Sequence, residues 1–143
     1  MRAAQIVLIE DNPSDVLLVR MALQEKGIPF SLRQYECGAD AVKELCATQN
    51  DCETPDAILL DLNTPRTDGF EALLQLKQSP GLAQVPSAII TSSRARSDRY
   101  RATLLGARYI EKPTLLRDFL SSVGSAVNDM LSVSARARET DRH

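Results

Sequence analysis

The chain has 143 residues, 43% of them hydrophobic, and a formal net charge of −2 at pH 7. This size and apolar content predict one domain with a packed core, and the near-neutral charge argues against direct nucleic-acid or membrane binding. No apolar stretch approaches the roughly 20 residues of a membrane span. An odd count of 3 cysteines, with no signal segment before the first apolar run, predicts free thiols in a cytoplasmic protein.

Short apolar runs alternate with stretches of helical periodicity along the chain. This alternation is typical of repeated βα units and predicts an α/β protein with a mostly parallel sheet. The second run alternates polar and apolar residues, which predicts an edge strand. The predicted strands are Gln5–Ile9, Phe30–Tyr35, Ala57–Leu60, Ser87–Ile90 and Arg108–Glu111.

The segments between these strands carry helix signals. Asn12 and Pro13 predict the start of the first helix, and Gly27 predicts its end. The segment Ser97–Leu105 is only weakly amphipathic. The last helix has the clearest apolar pattern, at Leu116, Phe119, Leu120, Val123, Val127, Met130 and Leu131. From Ser132 onward, small, polar and charged residues predict a tail that frays.

Polar side chains follow four of the apolar runs. They are Glu10 and Asp11 after the first run, Asp61 after the third, Thr91 after the fourth and Lys112 after the fifth. The carboxyl ends of parallel strands meet at one edge of an open α/β sheet, where ligands bind, so we expect these groups to gather there. Three carboxylates, a hydroxyl and an ammonium suit a Mg²⁺ ion and a phosphoryl group.

Asp61 is the predicted nucleophile, because a carboxylate can attack phosphorus and hold the phosphoryl group as an acyl phosphate. Asp11 and Asp61 are predicted to bind Mg²⁺ directly, and Glu10 through a water molecule. The main-chain carbonyl of Asn63 would complete the protein ligands. Two further side chains, Lys112 and Thr91, are predicted to contact oxygens of the phosphoryl group.

Four stretches of this chain resemble those of two-component response regulator receiver domains. Asp61–Gly69 resembles the phosphoacceptor turn, Leu8–Asn12 the acidic pair, Ile90–Ser93 the switch hydroxyl and Tyr109–Pro113 the Lys-Pro end. The resemblance covers about residues 4–131, the expected receiver domain, and leaves 132–143 as a polar tail with no output domain. It implies a flavodoxin-like (βα)5 fold, a doubly wound five-stranded parallel sheet with strand order 2-1-3-4-5. It also implies a cis peptide bond between Lys112 and Pro113.

The function implied by this resemblance is that of a single-domain, Mg²⁺-dependent phosphoacceptor switch in a phosphorelay. Such a protein is not an enzyme beyond autophosphorylation from small donors and slow autodephosphorylation. Asp61 would accept the phosphoryl group from a partner sensor histidine kinase. Thr91 would then move toward that group and Tyr109 would turn inward, which would change the surface offered to an unknown downstream protein target.

Other features bear on the partners. The stretch Leu8–Val16 and the long loop before the third strand resemble single-domain regulators associated with phytochrome-type kinases. The exposed side of the last helix could support a homodimer. Thr64 departs from the family pattern, since most receivers have a larger apolar residue before the proline, and it predicts looser or more polar packing there.

Two alternative functions stay open from the sequence. One is a receiver-shaped interaction module that is never phosphorylated. The other is an aspartate-nucleophile phosphatase, which is disfavoured because Asn63 stands where those enzymes have a second aspartate that acts as general acid. A dinucleotide-binding site is excluded because the first strand runs into Glu10 and Asp11 without a glycine-rich turn.

Overall fold

The computed structural model describes residues 3–47, 54–62, 64 and 68–141, with the side chains of the last helix described as far as Val133. Five strands and five helices alternate in this part of the chain. The strands are β1 (Ala4–Ile9), β2 (Phe30–Tyr35), β3 (Ala57–Asp61), β4 (Ser87–Thr91) and β5 (Arg108–Glu111). The helices are α1 (Pro13–Glu25), α2 (Gly38–Ala47), α3 (Gly69–Gln78), α4 (Arg96–Leu104) and α5 (Leu116–Asp141).

The five strands form one parallel sheet in the order β2-β1-β3-β4-β5. This confirms the predicted flavodoxin-like topology and places β2 at an edge. The burial of the strands follows from that order. Every residue of β3 and β4 is buried, whereas β2 is only partly covered.

Two apolar layers cover the sheet, one on each face. Along β1, Ile6 and Leu8 pack with α1 and α5, whereas Val7 and Ile9 pack with α2, α3 and α4. This alternation is the period of a strand, and it requires β1 to be apolar on both faces. Burial of each such side chain stabilises the folded state by about 1.5–3 kcal/mol, so packing of the two layers fixes the positions of the strand ends.

Local caps fix the helices that begin beside the carboxyl edge of the sheet. The side chain of Asn12 accepts a hydrogen bond from the main-chain N–H of Ser14 at 2.9 Å and caps α1. The side chain of Asp68 accepts one from Phe70 N–H, also at 2.9 Å, and caps α3. A cap of this kind stabilises a helix by about 1 kcal/mol.

The structure differs from the sequence predictions at a few positions. The last helix does not fray at Ser132 but continues to Asp141, because that stretch contains good helix formers such as alanine and arginine and lacks glycine and proline. The helix expected in the weakly amphipathic segment Ser97–Leu105, in contrast, is confirmed as α4. The peptide bond between Lys112 and Pro113 is trans, the form that most X–Pro bonds take, so the cis prediction was wrong. None of the described helices is both long and apolar enough to cross a bilayer.

Candidate phosphoryl and metal site

The sheet register brings the predicted site residues to one edge. Asp61 is the last residue of β3 and is aligned with Ile90 in β4. Thr91 is the last residue of β4 and is aligned with Glu111, the residue before Lys112. The main-chain N–H of Lys112 donates to the carbonyl of Thr91 at 2.7 Å, so the two strand ends are also joined to each other. Asp61, Thr91 and Lys112 therefore lie at the carboxyl ends of three neighbouring strands.

The Lys112 ammonium lies among three carboxylates. Its Nζ atom is 3.0 Å from Asp15 Oδ2 and 3.1 Å from Asp61 Oδ2, both within hydrogen-bond distance. The distance from Nζ to Glu10 Oε1 is longer, at 3.8 Å. The Lys112 side chain is only 21% exposed, so these carboxylates replace most of the hydrogen bonds that water would make with an exposed ammonium.

The three acids around Lys112 form a cluster of oxygen donors. One carboxylate oxygen each from Glu10, Asp15 and Asp61 lies within 4.8 Å of the others. The Glu10 side chain is 3% exposed, and its Oε2 atom has no hydrogen-bond partner among the described residues. A buried carboxylate oxygen without a partner is costly, and hard oxygen donors are the ligands that divalent cations such as Mg²⁺ and Mn²⁺ take. These residues therefore fit a divalent metal ion.

The charges in this cluster are not independent. Burial, followed by hydrogen bonding to Asp61 and Asp15, raises the pKa of Glu10 to about 9. Burial acts against the ammonium of Lys112, but Asp15 and Asp61 outweigh it and the pKa of Lys112 is raised. Burial also acts against the charged form of Asp15, but Glu10 and Lys112 outweigh it and the pKa of Asp15 is lowered. Burial and the neighbouring acids therefore favour the protonated form of Glu10, and the same acids favour the charged form of Lys112.

The metal ligands predicted from the sequence are only partly brought together. Glu10 and Asp61 lie in the acidic cluster, but the Asp11 side chain is exposed and does not belong to it. Asn63, whose carbonyl was predicted as a ligand, lies outside the described residues. Its role and that of Asp11 stay predictions.

Asp15 is the residue of this cluster that sequence reasoning missed. It lies in the first turn of α1, four positions after Asp11. A signal for it was present, because a helix that starts directly after β1 must begin at the carboxyl edge of the sheet. An acid in the first turn of that helix is placed close to the groups that end the strands.

Thr91 is fully buried and is the last residue of β4, which pairs with the strand that ends at Asp61. Its Oγ1 atom accepts a hydrogen bond from the main-chain N–H of Ser93 at 3.1 Å. The Ser93 hydroxyl donates to Asp98 in α4 at 2.6 Å. The loop between β4 and α4 is therefore hydrogen-bonded both to Thr91, which is predicted to contact the phosphoryl group, and to Asp98 in α4.

Tyr109 reaches this same loop from β5. Its hydroxyl donates a hydrogen bond to the main-chain carbonyl of Ser93 at 2.7 Å. The guanidinium carbon of Arg99, in α4, lies 4.6 Å from the centre of the Tyr109 ring, a distance within the range of a cation–π contact. The side chain predicted to act in a switch is thus bonded to the loop that carries Thr91.

Thr64 is buried, and its hydroxyl oxygen has no hydrogen-bond partner among the described residues. This places a polar group in packed surroundings close to Asp61, at the position where the sequence departs from the receiver pattern. The cost of such a buried hydroxyl without a partner is about 1–3 kcal/mol, which an apolar residue at this position would avoid.

Comparisons with known proteins identify the family of this chain. Residues 6–123 match the response regulator receiver domain. Response regulator Rcp1 of Synechocystis sp. is 34% identical over 122 residues, which cover 82% of this chain and 82% of Rcp1. Protein PilH of Pseudomonas aeruginosa is 27% identical over 125 residues, which cover 87% of this chain and 98% of PilH.

Solved structures give the same result. The phosphorylated cyanobacterial phytochrome response regulator RcpA matches with a TM-score of 0.79 and 29% identity, over 92% of this chain and 96% of RcpA. The Mn²⁺-bound form of Rcp1 matches with a TM-score of 0.79 and 31% identity, over 90% and 94% of the two chains. With its five-stranded fold and its lysine among carboxylates at the carboxyl edge, the chain belongs to the response regulator receiver domain family.

Proposed function

We propose that this protein is a phosphoacceptor switch of a two-component system and that Asp61 is the residue phosphorylated. The observation that carries this proposal is the contact between the Asp61 carboxylate and the Lys112 ammonium, inside a cluster of acids at the carboxyl edge of the sheet. A nucleophile, a cation and metal-binding oxygens are the parts that phosphoryl transfer needs.

The chemistry proceeds by displacement at phosphorus. One carboxylate oxygen of Asp61 forms a bond to the phosphorus atom as the P–N bond of a phosphohistidine breaks, and the imidazole leaves with a proton from solvent. With acetyl phosphate as donor, the P–O bond breaks and acetate leaves. Lys112 is placed to neutralise charge on a phosphoryl oxygen, and a bound Mg²⁺ ion would shield the same charge from the surrounding acids. The Thr91 hydroxyl would donate a hydrogen bond to another phosphoryl oxygen.

Several acids are candidates to hold the metal ion. We assign Glu10, Asp11 and Asp61, together with the main-chain carbonyl of Asn63. Glu10 has an oxygen without a partner and Asp61 lies beside it. Asp11 follows Glu10 directly and is exposed to solvent, so its carboxylate can reach an ion at the mouth of the site without a desolvation cost.

The signal would reach the surface through the loop between β4 and α4. A phosphoryl group on Asp61 offers an acceptor to the Thr91 hydroxyl, and movement of Thr91 alters the loop that Tyr109 holds. The surface of α4 and β5 would then change for a downstream protein target. To move such an equilibrium from 1:99 to 99:1, phosphorylation must favour one state by about 5.5 kcal/mol.

The donor is a sensor histidine kinase, and a phytochrome-type kinase is our specific assignment. It is supported by the similarity to RcpA, a cyanobacterial phytochrome response regulator, and to Rcp1. The assignment predicts that a phytochrome-type kinase transfers its phosphoryl group to this protein faster than an unrelated histidine kinase does.

The test is phosphodonor labelling of the folded protein with acetyl phosphate and Mg²⁺. The wild type should gain one base-labile phosphoryl group, detected as a mass increase of the intact protein. Asp61→Asn should gain none, whereas Asp118→Asn, at an exposed acid in the first turn of α5, should label like the wild type. Absence of labelling in the wild type would favour an interaction module that is never phosphorylated. Continuous release of phosphate from a monoester would instead favour a phosphatase.

A further inference from the structure

Asp15 holds half of the hydrogen bonding around the ammonium that serves the phosphoryl site. Its Oδ2 atom is 3.0 Å from Lys112 Nζ, as close as the oxygen of Asp61 at 3.1 Å. The two acids differ in exposure, since the Asp15 side chain is 24% exposed and that of Asp61 is 8% exposed. Lys112 is therefore shared between an acid at the rim and the buried acid that would be phosphorylated.

The position of Asp15 is fixed by regular structure. It lies in the first turn of α1, whose start is capped by Asn12. The residue that follows, Val16, is buried against the sheet and holds this turn in place. A side chain on a capped and packed helical turn keeps its direction better than one on a loop.

Among the described residues, the inner side of the cluster offers the ammonium one further partner, the Glu10 carboxylate, whose Oε1 atom lies 3.8 Å from Nζ. A cavity of about 10 Å³ adjoins Glu10, Asp15, Asp61 and Lys112, and its remaining lining residues are apolar. They are Leu8, Val19, Ile90 and Phe119. A space of this size holds at most about one water molecule. Glu10 lines this cavity, and its buried Oε2 atom has no hydrogen-bond partner among the described residues.

We infer that Asp15 is a positioning residue that holds the Lys112 ammonium in the unphosphorylated protein and competes for it with the phosphoryl group on Asp61. This inference rests on the proposed function and extends it to a residue outside the predicted site. When Asp61 carries a phosphoryl group, that group offers more negative charge to Lys112 than a carboxylate does. Asp15 then interacts less with the positive charge of Lys112, and its own negative charge lies unneutralised beside the phosphoryl dianion.

This role predicts that the Asp15 charge has opposite effects on the binding of cations and of anions. Removal of the Asp15 charge should weaken binding of a cation to the acidic cluster, because one attractive charge is lost. It should strengthen binding of a phosphoryl analogue, because one repulsive charge is lost and Lys112 is freed for the anion. A residue that only supports the fold would weaken both when it is replaced.

The experiment measures both kinds of binding in Asp15→Asn, with Asp118→Asn as the matched control in the first turn of another helix. The cation probe is Mg²⁺ alone, and the anion probe is beryllium trifluoride at saturating Mg²⁺, each followed by calorimetry. In Asp15→Asn we expect Mg²⁺ affinity to fall and analogue affinity to rise, each by about three- to tenfold. Asp118→Asn should change neither affinity by more than about twofold.

Two further variants test the route through Lys112. Asp15→Glu keeps the charge and should keep the wild-type affinities for both probes within about threefold, which also guards against a fold defect in Asp15→Asn. In a Lys112→Gln background, Asp15→Asn should raise analogue affinity by less than it does in the wild type, because the shared ammonium is absent.

The outcomes separate this inference from the proposed function. If the wild type bound neither probe, the phosphoacceptor function itself would fail, and this inference with it. If the wild type bound both while Asp15→Asn matched Asp118→Asn, or lost affinity for both probes, the function would stand and the role of Asp15 would be overturned. Opposite changes for the cation and the anion would support it.

Discussion

The hydroxyl of Tyr109 donates a hydrogen bond to the main-chain carbonyl of Ser93, with 2.7 Å between the two oxygen atoms. This single bond joins β5 to the loop that follows β4. Because the N–H of the same Ser93 donates to the hydroxyl of Thr91, one residue connects the strand-end threonine to the half-buried tyrosine. The two side chains are therefore linked through the backbone of one residue, Ser93.

Replacement of Tyr109 by phenylalanine should loosen this loop. The ring keeps its packing, but the carbonyl of Ser93 loses its donor, and a bond of this kind contributes about 0.5–1.5 kcal/mol. We expect that loss in the free energy of urea unfolding, together with faster amide exchange at Ser93 and Ala95. Tyr100→Phe is the matched control, since Tyr100 is 64% exposed on α4, and it should leave both quantities unchanged. Equal exchange rates in the two variants would rule out a holding role for the Tyr109 hydroxyl.

Replacement of Glu10 by glutamine should stabilise the metal-free protein above neutral pH. The pKa of Glu10 is raised from 4.5 to about 9 in the folded state. Between these values the folded protein binds more protons than the unfolded chain, so the stability of the wild type falls as pH rises. Glutamine has no proton to lose, and the variant escapes this fall.

The advantage of Glu10→Gln should grow from near zero at pH 4 to about 1–3 kcal/mol at pH 8, since the neighbouring acids and Lys112 share the proton of the cluster. Urea unfolding in the presence of a chelator measures it. Glu25→Gln, at an exposed position on α1, should follow the wild type at every pH. A difference that stays flat between pH 5 and pH 9 would contradict a proton held on buried Glu10.

Mg²⁺ should stabilise the unphosphorylated protein. The acids of the cluster repel one another, and an ion that binds only the folded state adds stability by linkage, about 2.7 kcal/mol when its free concentration is 100 times the Kd. The melting temperature of the wild type should therefore rise in millimolar Mg²⁺. NaCl at matched ionic strength should not reproduce the rise, and Asp61→Asn should lose most of it. A wild-type melting temperature that does not respond to Mg²⁺ would count against the metal site.

Replacement of Gly69 by alanine should disturb the turn after Asp61. A Cβ atom at Gly69 would lie 2.9 Å from Cδ2 and 3.1 Å from Cα of Leu62, and the second contact is with backbone that cannot rotate away. We expect a loss of about 1–3 kcal/mol in the free energy of unfolding. Gln75→Ala, at an exposed position on the same helix, should change it by less than about 0.5 kcal/mol. Wild-type stability in Gly69→Ala would show that Leu62 can give way.

Much of the site could be predicted because its signals are local in the sequence. Each apolar run specifies a strand, and the polar residue after the run is fixed in place by the end of that strand. Asp61, Thr91 and Lys112 follow this rule, and the register of β3, β4 and β5 brings them to one edge. The extension of α5 to Asp141 was missed because the apolar stripe ends earlier than the helix-forming residues do.

The sequence by itself determined the layered packing, the apolar strands and the edge at which the polar groups collect. These features follow from the hydrophobic period and from the end of each apolar run, and both are set by residues that are neighbours in the chain. Only the tertiary structure decided which acids meet Lys112. Glu10 and Asp11 are adjacent and both follow the end of β1, yet Glu10 is buried within 3.8 Å of the Lys112 ammonium and Asp11 is exposed to solvent. Asp15 joins the cluster because the cap and packing of α1 turn its first residues toward the end of β5, a contact between residues 97 positions apart in the chain.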